Sequence, residues 1–559
     1  MQNSGRFLLA VALMIAVIIL SYVLFPPPRP QVPAGAAGDT TAVDSPRAAP
    51  AAATPEAPET RPQPGGMGAA PPVAAADTIV VETPLYRFGF STKGAALVSA
   101  QLLRFEDIRR STESNRQPVQ LAPVWPRGFL SHRFRIAGEV VDAASFSYAP
   151  SQTHDIVLKE GDSPASLRFT AQDAGGRRYE ITYTFSPSNY LVDVSTRVLG
   201  AADLSQVLID FGPTLASNEA NIEEDRRALG VVVNSRQDGI ESVPFRSIRE
   251  QRIEEGPLNW VALKNKYFVF AALPGLTGAG TELGFGGLVA APNMAGRYTK
   301  DLTATLPATQ QRGEYRFYLG PQEYDRLGAI GLENVNPYGW ALFRPIIRPI
   351  GNAFTWILLG THRATGLAYG WILILFGFAV RLALWPLNAK AMRSSMKSME
   401  LQPRMKELQA RYKNDPQRLQ QEMLRLYREE GFNPMGGCLP LLIPMPVLLT
   451  LFFVLRDTIE FRGVPFLWLP DLSRADPFFI LPILLGVTMF IQQYLSTRTG
   501  PPNPQAKALM WFMPVFMVVL FLQFASGLNL YYAAQNVASF PQQLLMIRER
   551  KEFMARRGR

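Results

Sequence analysis

Apolar runs gathered in the last third of the chain restrict its fold most, and one of them carries a charge. Trp371–Leu387 is about long enough to cross the ~30 Å hydrocarbon layer of a bilayer. Within it Arg381 sits between Val380 and Leu382. A guanidinium near mid-membrane costs ~2.5–3.5 kcal/mol on insertion scales, so it is expected to face a wet or paired interior. Four further runs follow, Leu439–Leu455, Phe478–Leu495, Ala508–Ala525 and Leu528–Ile547, and Arg381 is the only Lys, Arg, Asp, Glu or His well inside the five. The last run is the most polar, with Asn529, Gln535, Asn536, Ser539, Gln542 and Gln543, and is expected to line the cavity that Arg381 faces. Pro440, Pro446 and Pro514 sit inside runs, where freed carbonyls can polarise a cavity and simple kinks explain them equally well.

Charge placement orients these runs. Lys and Arg number 56 against 46 Asp and Glu, a net charge of +10, with the excess in Lys390–Arg428 and in the tail 548–559. Both stretches adjoin apolar runs, which marks them as cytoplasmic and points to the lipid bilayer and an anionic partner there rather than to DNA. Arg456–Pro477 has no basic excess and is expected outside. An apolar run at Phe7–Phe25 follows Arg6; it is too long for a cleaved signal core and ends in bulky residues, so 1–25 reads as a signal-anchor helix. Six spans with both termini inside satisfy these charges.

Residues 26–76 are rich in Pro and Ala and are expected to form a disordered tether outside the membrane. From 77 to 324 the pattern becomes short alternating runs. Tyr179, Ile181, Tyr183 and Phe185 share one face, and Leu167, Phe169 and Ala171 repeat the period of two. Such runs separated by turn signals predict an antiparallel β-sandwich. Sandwiches of this size often bind sugars, but its carboxylates form no motif, which favours a scaffold or docking domain over a carbohydrate enzyme.

Pro337–Gly360 mixes Trp, Phe and Ile with Arg344 and Arg348 one turn apart, the pattern of an interfacial amphipathic helix that Pro345 and Pro349 should kink or split. Residues 389–430 predict a cytoplasmic helical hairpin, with Met405, Leu408 and Tyr412 on one helix facing Leu419, Met423, Leu426 and Tyr427 on the other. A single cysteine, Cys438, excludes an intrachain disulfide, and three scattered histidines give no zinc-ligand spacing. With no phosphate-binding loop either, no catalytic residue, metal or cofactor is expected.

Several motifs in this order resemble the YidC family of membrane protein insertases. They are Asn433-Pro434-Met435-Gly436-Gly437-Cys438-Leu439-Pro440, Asp471-Leu472-Ser473 with Asp476-Pro477, Phe512-Met513-Pro514-Val515, and Ser526-Gly527-Leu528 with Leu530-Tyr531-Tyr532 and Asn536. Asn259-Trp260-Val261-Ala262 with Tyr267-Phe268 is similar to the larger Gram-negative form. Two positions depart from the family pattern: Pro444 replaces a usual glutamine and Phe452 a frequent tyrosine.

The resemblance implies a multidomain membrane protein: a periplasmic β-sandwich of the supersandwich type and an α-helical six-span membrane domain with a cytoplasmic hairpin. The insertase core would be 371–547, in the bacterial inner membrane. It implies insertion of other proteins' transmembrane segments, alone or with the Sec translocon and its accessory subunits, on nascent membrane proteins delivered by the ribosome. A substrate groove of Arg381, Tyr532, Gln535 and Asn536 follows, with Gly436, Gly437, Cys438, Pro440, Pro446 and Gly527 as structural motif residues. A secondary transporter is the rival class, but paired intramembrane charges and repeats are missing from the sequence.

Overall fold

The computed structural model describes residues 77–109, 117–275, 284–336, 343–386, 389, 404–405, 407–412, 415–429, 444–498 and 504–557. The expected signal anchor, the tether and the Gly436-Gly437-Cys438 motif with Pro440 lie outside them.

Residues 78–321 form a large β domain, antiparallel except where Thr78–Glu82 meets Ile156–Val157. The strand Arg178–Phe185 buries Tyr179, Ile181, Tyr183 and Phe185, as the alternation predicts. Its neighbours are Ala165–Gln172 on one side and Leu191–Leu199 on the other. All strands join one hydrogen-bonded network because the long strand Arg252–Lys264 serves two layers. Its first half pairs with Phe285–Pro292, and its second half pairs with Gly230–Ser235 and Phe268–Pro274. The register breaks between Glu255 and Leu258, where the strand changes layer. Between the layers aromatic rings close the core: Phe90 on Tyr183 at 4.5 Å, Phe129 on Phe270 at 4.9 Å and Phe88 on Phe317 at 6.5 Å.

Short helices α1 (Ile222–Ala228) and α2 (Tyr324–Ala329) decorate this domain. Beyond it come α3 (Arg344–Thr365), α4 (Tyr369–Ala383), α5 (Pro416–Glu429), α6 (Pro444–Asp457), α7 (Ile480–Arg498), α8 (Pro504–Phe521) and α9 (Ser526–Arg557). The expected break in α3 is absent. Pro345 occupies the first turn, where an amide has no intrahelical acceptor to lose. Pro349 forfeits one bond, and burial of Ile347, Gly351, Thr355, Leu358 and Leu359 on one face holds the helix together. Gly366, left-handed at φ 66°, ends it.

Among the described residues no helix is both long and apolar enough to cross a membrane. The run expected over Trp371–Leu387 becomes a helix ending at Ala383, and 15 residues at 1.5 Å each reach only about 22 Å. In the hairpin region the Tyr427 hydroxyl meets the Met405 sulfur at 4.0 Å, joining the two apolar stripes.

α4, α7 and α9 all start at one loop. The start of α4 meets the loop after α6, with Tyr369 on Phe461 at 5.1 Å and Trp371 on Phe466 at 5.4 Å. That loop, 458–477, also touches the β domain and the start of α9. The far ends of α4, α7 and α9 therefore point away from the β domain.

Candidate functional site

Arg381 lies in the last turn of α4, where the carbonyl end of the helix dipole favours a cation. It is partly buried, and its Nε is buried with no hydrogen-bond partner among the described residues. No carboxylate pairs with it there; the titratable group in electrostatic reach is the Tyr531 hydroxyl on α9.

Close backbone approach sets this neighbourhood. A Cβ on Gly377 would stand 3.0 Å from the Tyr531 carbonyl oxygen and 3.2 Å from the Ala534 Cβ. One on Gly527 would stand 3.3 Å from Leu373 Cδ1 and 3.2 Å from the Leu472 carbonyl oxygen. Further along, Gln542 Nε2 donates to the Trp385 carbonyl at 3.2 Å. Contacts 373 to 527, 377 to 531 and 385 to 542 advance together, so α4 and α9 run parallel and Arg381 lies about level with Gln535.

A second polar seam joins α9 to α7. Asn536 Nδ2 donates to Thr488 Oγ1 at 3.4 Å, and Gln492 Nε2 donates to the Asn536 carbonyl at 2.9 Å and to Ser539 Oγ at 2.6 Å. Asn529 Oδ1, Gln542 Oε1 and Gln543 Oε1 are buried without partners among the described residues. Unpaired buried acceptors ordinarily hold water or a ligand's donors.

Of the four residues expected to form one groove, Arg381 is on α4 and the other three are on α9. Gln535 is half-buried at the level of Arg381, and Asn536 belongs to the seam with α7. Tyr532 is buried with its ring edge-on to Phe521 at 5.3 Å, on the α8 side, and the Tyr531 ring lies 6.1 Å from Phe376 of α4. Neither tyrosine is an exposed belt residue, because α4 and α8 enclose them. Pro446 falls within α6. Thr488 and Gln492 escaped sequence reasoning, since isolated Thr and Gln inside an apolar run give no signal until a partner helix is known.

The Asp-Leu-Ser and Ser-Gly-Leu motifs hold the helix starts together. Gly527 N–H donates to the Leu472 carbonyl at 2.9 Å, and Ser526 Oγ to the Asp471 carbonyl at 3.0 Å. Asp476 caps α7 by accepting from Leu481 N–H at 2.7 Å and Phe478 N–H at 3.1 Å.

A buried junction fixes the β domain to the same loop. Arg462 and Glu219, with side chains 3% and 7% exposed, pair at 2.8 Å. Arg462 Nη2 also donates to the Glu106 carbonyl at 2.8 Å, and its guanidinium lies 5.5 Å from the Phe268 ring. Glu460 Oε1 accepts from Tyr324 N–H at 3.0 Å, capping α2 across the junction. Burial pushes the carboxyl groups of Glu219 and Glu460 up to about 7; for Glu219 it outweighs the opposing pull of Arg462. Sequence reading saw these charges only as a loop without basic excess.

Two family models cover most of the chain: the 60Kd inner membrane protein model matches residues 360–553 and the YidC periplasmic domain model residues 78–351. The membrane protein insertase YidC of Chlorobaculum parvum is 33% identical, over 95% of this chain and 92% of the relative. The chain belongs to the YidC family of membrane protein insertases. The YidC of Ralstonia nicotianae is likewise 33% identical, over 93% of this chain and 91% of its own. A solved structure described as an active YidC insertase with its first transmembrane domain resolved aligns over 85% of this chain and 93% of that one, at 20% identity and a TM-score of 0.34. The YidC periplasmic domain match takes in the β domain, α2 and the start of α3, and the 60Kd inner membrane protein match takes in the helices from α4 onward.

Proposed function

We propose that this chain inserts transmembrane segments of nascent client proteins into the bacterial inner membrane, with Arg381 and the polar face of α9 as the surface that the client's polar tail traverses. The observation that carries this reading is Arg381 itself: partly buried, without an acidic partner among the described residues, and beside a helix carrying unpaired buried acceptors. Moving a polar or acidic tail through hydrocarbon is dominated by desolvation. A cation and hydrogen-bonding groups that stay wet partway across would lower that barrier. The active groups in this reading are Arg381, Gln535 and Asn536, with Tyr532 shaping the aromatic wall towards α8. No bond is made or broken and no nucleotide is consumed.

Six spans with both termini cytoplasmic are part of this reading. The ends of α4 and α9 turned away from the β domain lead on into the hairpin and the tail, which supports a basic cytoplasmic surface facing the ribosome through salt-sensitive contacts. Cooperation with the Sec translocon and its accessory subunits is part of the same reading.

The test is insertion in reconstituted vesicles of a small client with an acidic N-terminal tail. Arg381→Ala should lower the inserted fraction more than Arg381→Lys, with no solute flux in either. Equal insertion by the Ala variant and wild type would remove the client-contact role of Arg381.

A further inference from the structure

Where α3 meets the β domain, a cavity of ≈ 290 Å³ lies outside the insertion surface. Its volume falls just below the ~300 Å³ at which pockets for drug-sized ligands begin, a size that suits a single headgroup. Arg344, Arg348 and Asn352 recur every fourth residue and form one stripe of α3 along its wall. Opposite them the β domain and its exit segment supply Asn234, Asn336 and Glu333.

Neither arginine has an ion pair among the described residues, and Arg344 Nε is buried there without a hydrogen-bond partner. Asn336 Oδ1 accepts from the buried Lys264 ammonium at 2.8 Å, which fixes the orientation of that amide on the wall. Two guanidinium groups against one carboxylate on its wall make the cavity anion-attracting, and planar guanidinium forks match phosphate oxygens.

The far side of α3 indicates where such a phosphate comes from. Ile346, Trp356 and Ile357 are 53%, 64% and 39% exposed, an apolar stripe on the face turned away from the protein. An amphipathic helix with that stripe in lipid carries its polar edge at phosphate depth.

We infer that this cavity binds the headgroup of one membrane phospholipid, its phosphodiester on Arg344 and Arg348 and an ethanolamine ammonium towards Glu333. The inference rests on α3 lying in the membrane interface, as its sequence pattern predicts, and is independent of insertion by Arg381. The bound lipid would tie the β domain to the bilayer surface, a role separate from contact with the client.

The experiment is native mass spectrometry of the full chain in detergent, titrated with phosphatidylethanolamine. The double variant Arg344→Gln/Arg348→Gln should bind the lipid roughly 10- to 100-fold more weakly, the loss expected for charge-assisted bonds. Asn234→Asp, on the β domain and outside α3, should weaken it in the same direction by placing a carboxylate opposite the phosphate. Insertion by Arg381 variants is measured in parallel, so failure of one reading leaves the other standing. Unchanged lipid affinity in both cavity variants would overturn the site. Displacement of the lipid by inorganic phosphate at equal concentration would show an anion site without lipid preference and overturn it too.

Discussion

Replacing Arg462 by Gln tests whether the β domain is fastened to the helices by one buried cation. Two losses add. The hydrogen bond from Nη2 to the Glu106 carbonyl, at 2.8 Å, is charge-assisted and contributes about 2 kcal/mol. The second loss depends on pH through Glu219, whose carboxyl is pushed up to about 7 by burial even with Arg462 beside it. Below pH 7 that carboxyl is protonated with or without the arginine, so its removal adds almost nothing. Above pH 7 the wild type ionises Glu219 while the variant must keep it protonated, which adds about 1.4 kcal/mol for each pH unit. The total is about 2 kcal/mol at pH 6 and about 3–4 kcal/mol at pH 8, or roughly 30-fold and several hundred-fold in the opening equilibrium. Hydrogen exchange of the full chain in detergent, variant against wild type at each pH, reads this directly. Protection should fall together in 217–225 and 456–469, and the strands 179–185 and 313–319 should keep theirs. A pH-independent loss, or one spread evenly over the β domain, would refute the reasoning. Glu219→Gln added to Arg462→Gln should recover the pH-dependent part, since no buried carboxyl then remains unpaired.

Other expectations follow from the same geometry. Glu219 and Glu460 both titrate near 7 in the folded chain against an ordinary value of 4.5, so the native state holds more protons between those limits. Stability from this junction is therefore full below pH 4.5 and lost as pH rises through 7, by about 3 kcal/mol per carboxyl; Glu460→Gln should flatten a melting-temperature profile over that window. Lys264, lowered to about 8 by burial, works the other way, and stability should rise again between pH 8 and 10.5. Gly377→Val should separate α4 from α9, because its Cβ would press on the Tyr531 carbonyl and Ala534; thermal unfolding in detergent should show a loss of about 1–3 kcal/mol. Gln492→Leu should loosen α7 from α9 by removing donors to Asn536 and Ser539, seen as faster exchange in 536–540 while α3 is unchanged.

Local chemistry made much of this chain legible in advance. The alternation of Tyr179, Ile181, Tyr183 and Phe185 specifies a half-buried strand because successive side chains leave a strand on opposite faces, and each of the four is buried. Arg381 stood out because a charge in an apolar run has few places to go, and the motifs from Asp471 to Asn536 carried the family. Only the tertiary structure decided which residues meet. Arg462 finds Glu219 across 243 positions, Tyr531 packs towards Phe376 of α4 while Tyr532 packs on Phe521 of α8, and Arg344 with Arg348 closes a cavity against asparagines of another domain. The physical reason is range: backbone periodicity and desolvation act within one segment and are written in its residues. The partner of a buried charge is set by how distant segments pack, which no single segment encodes.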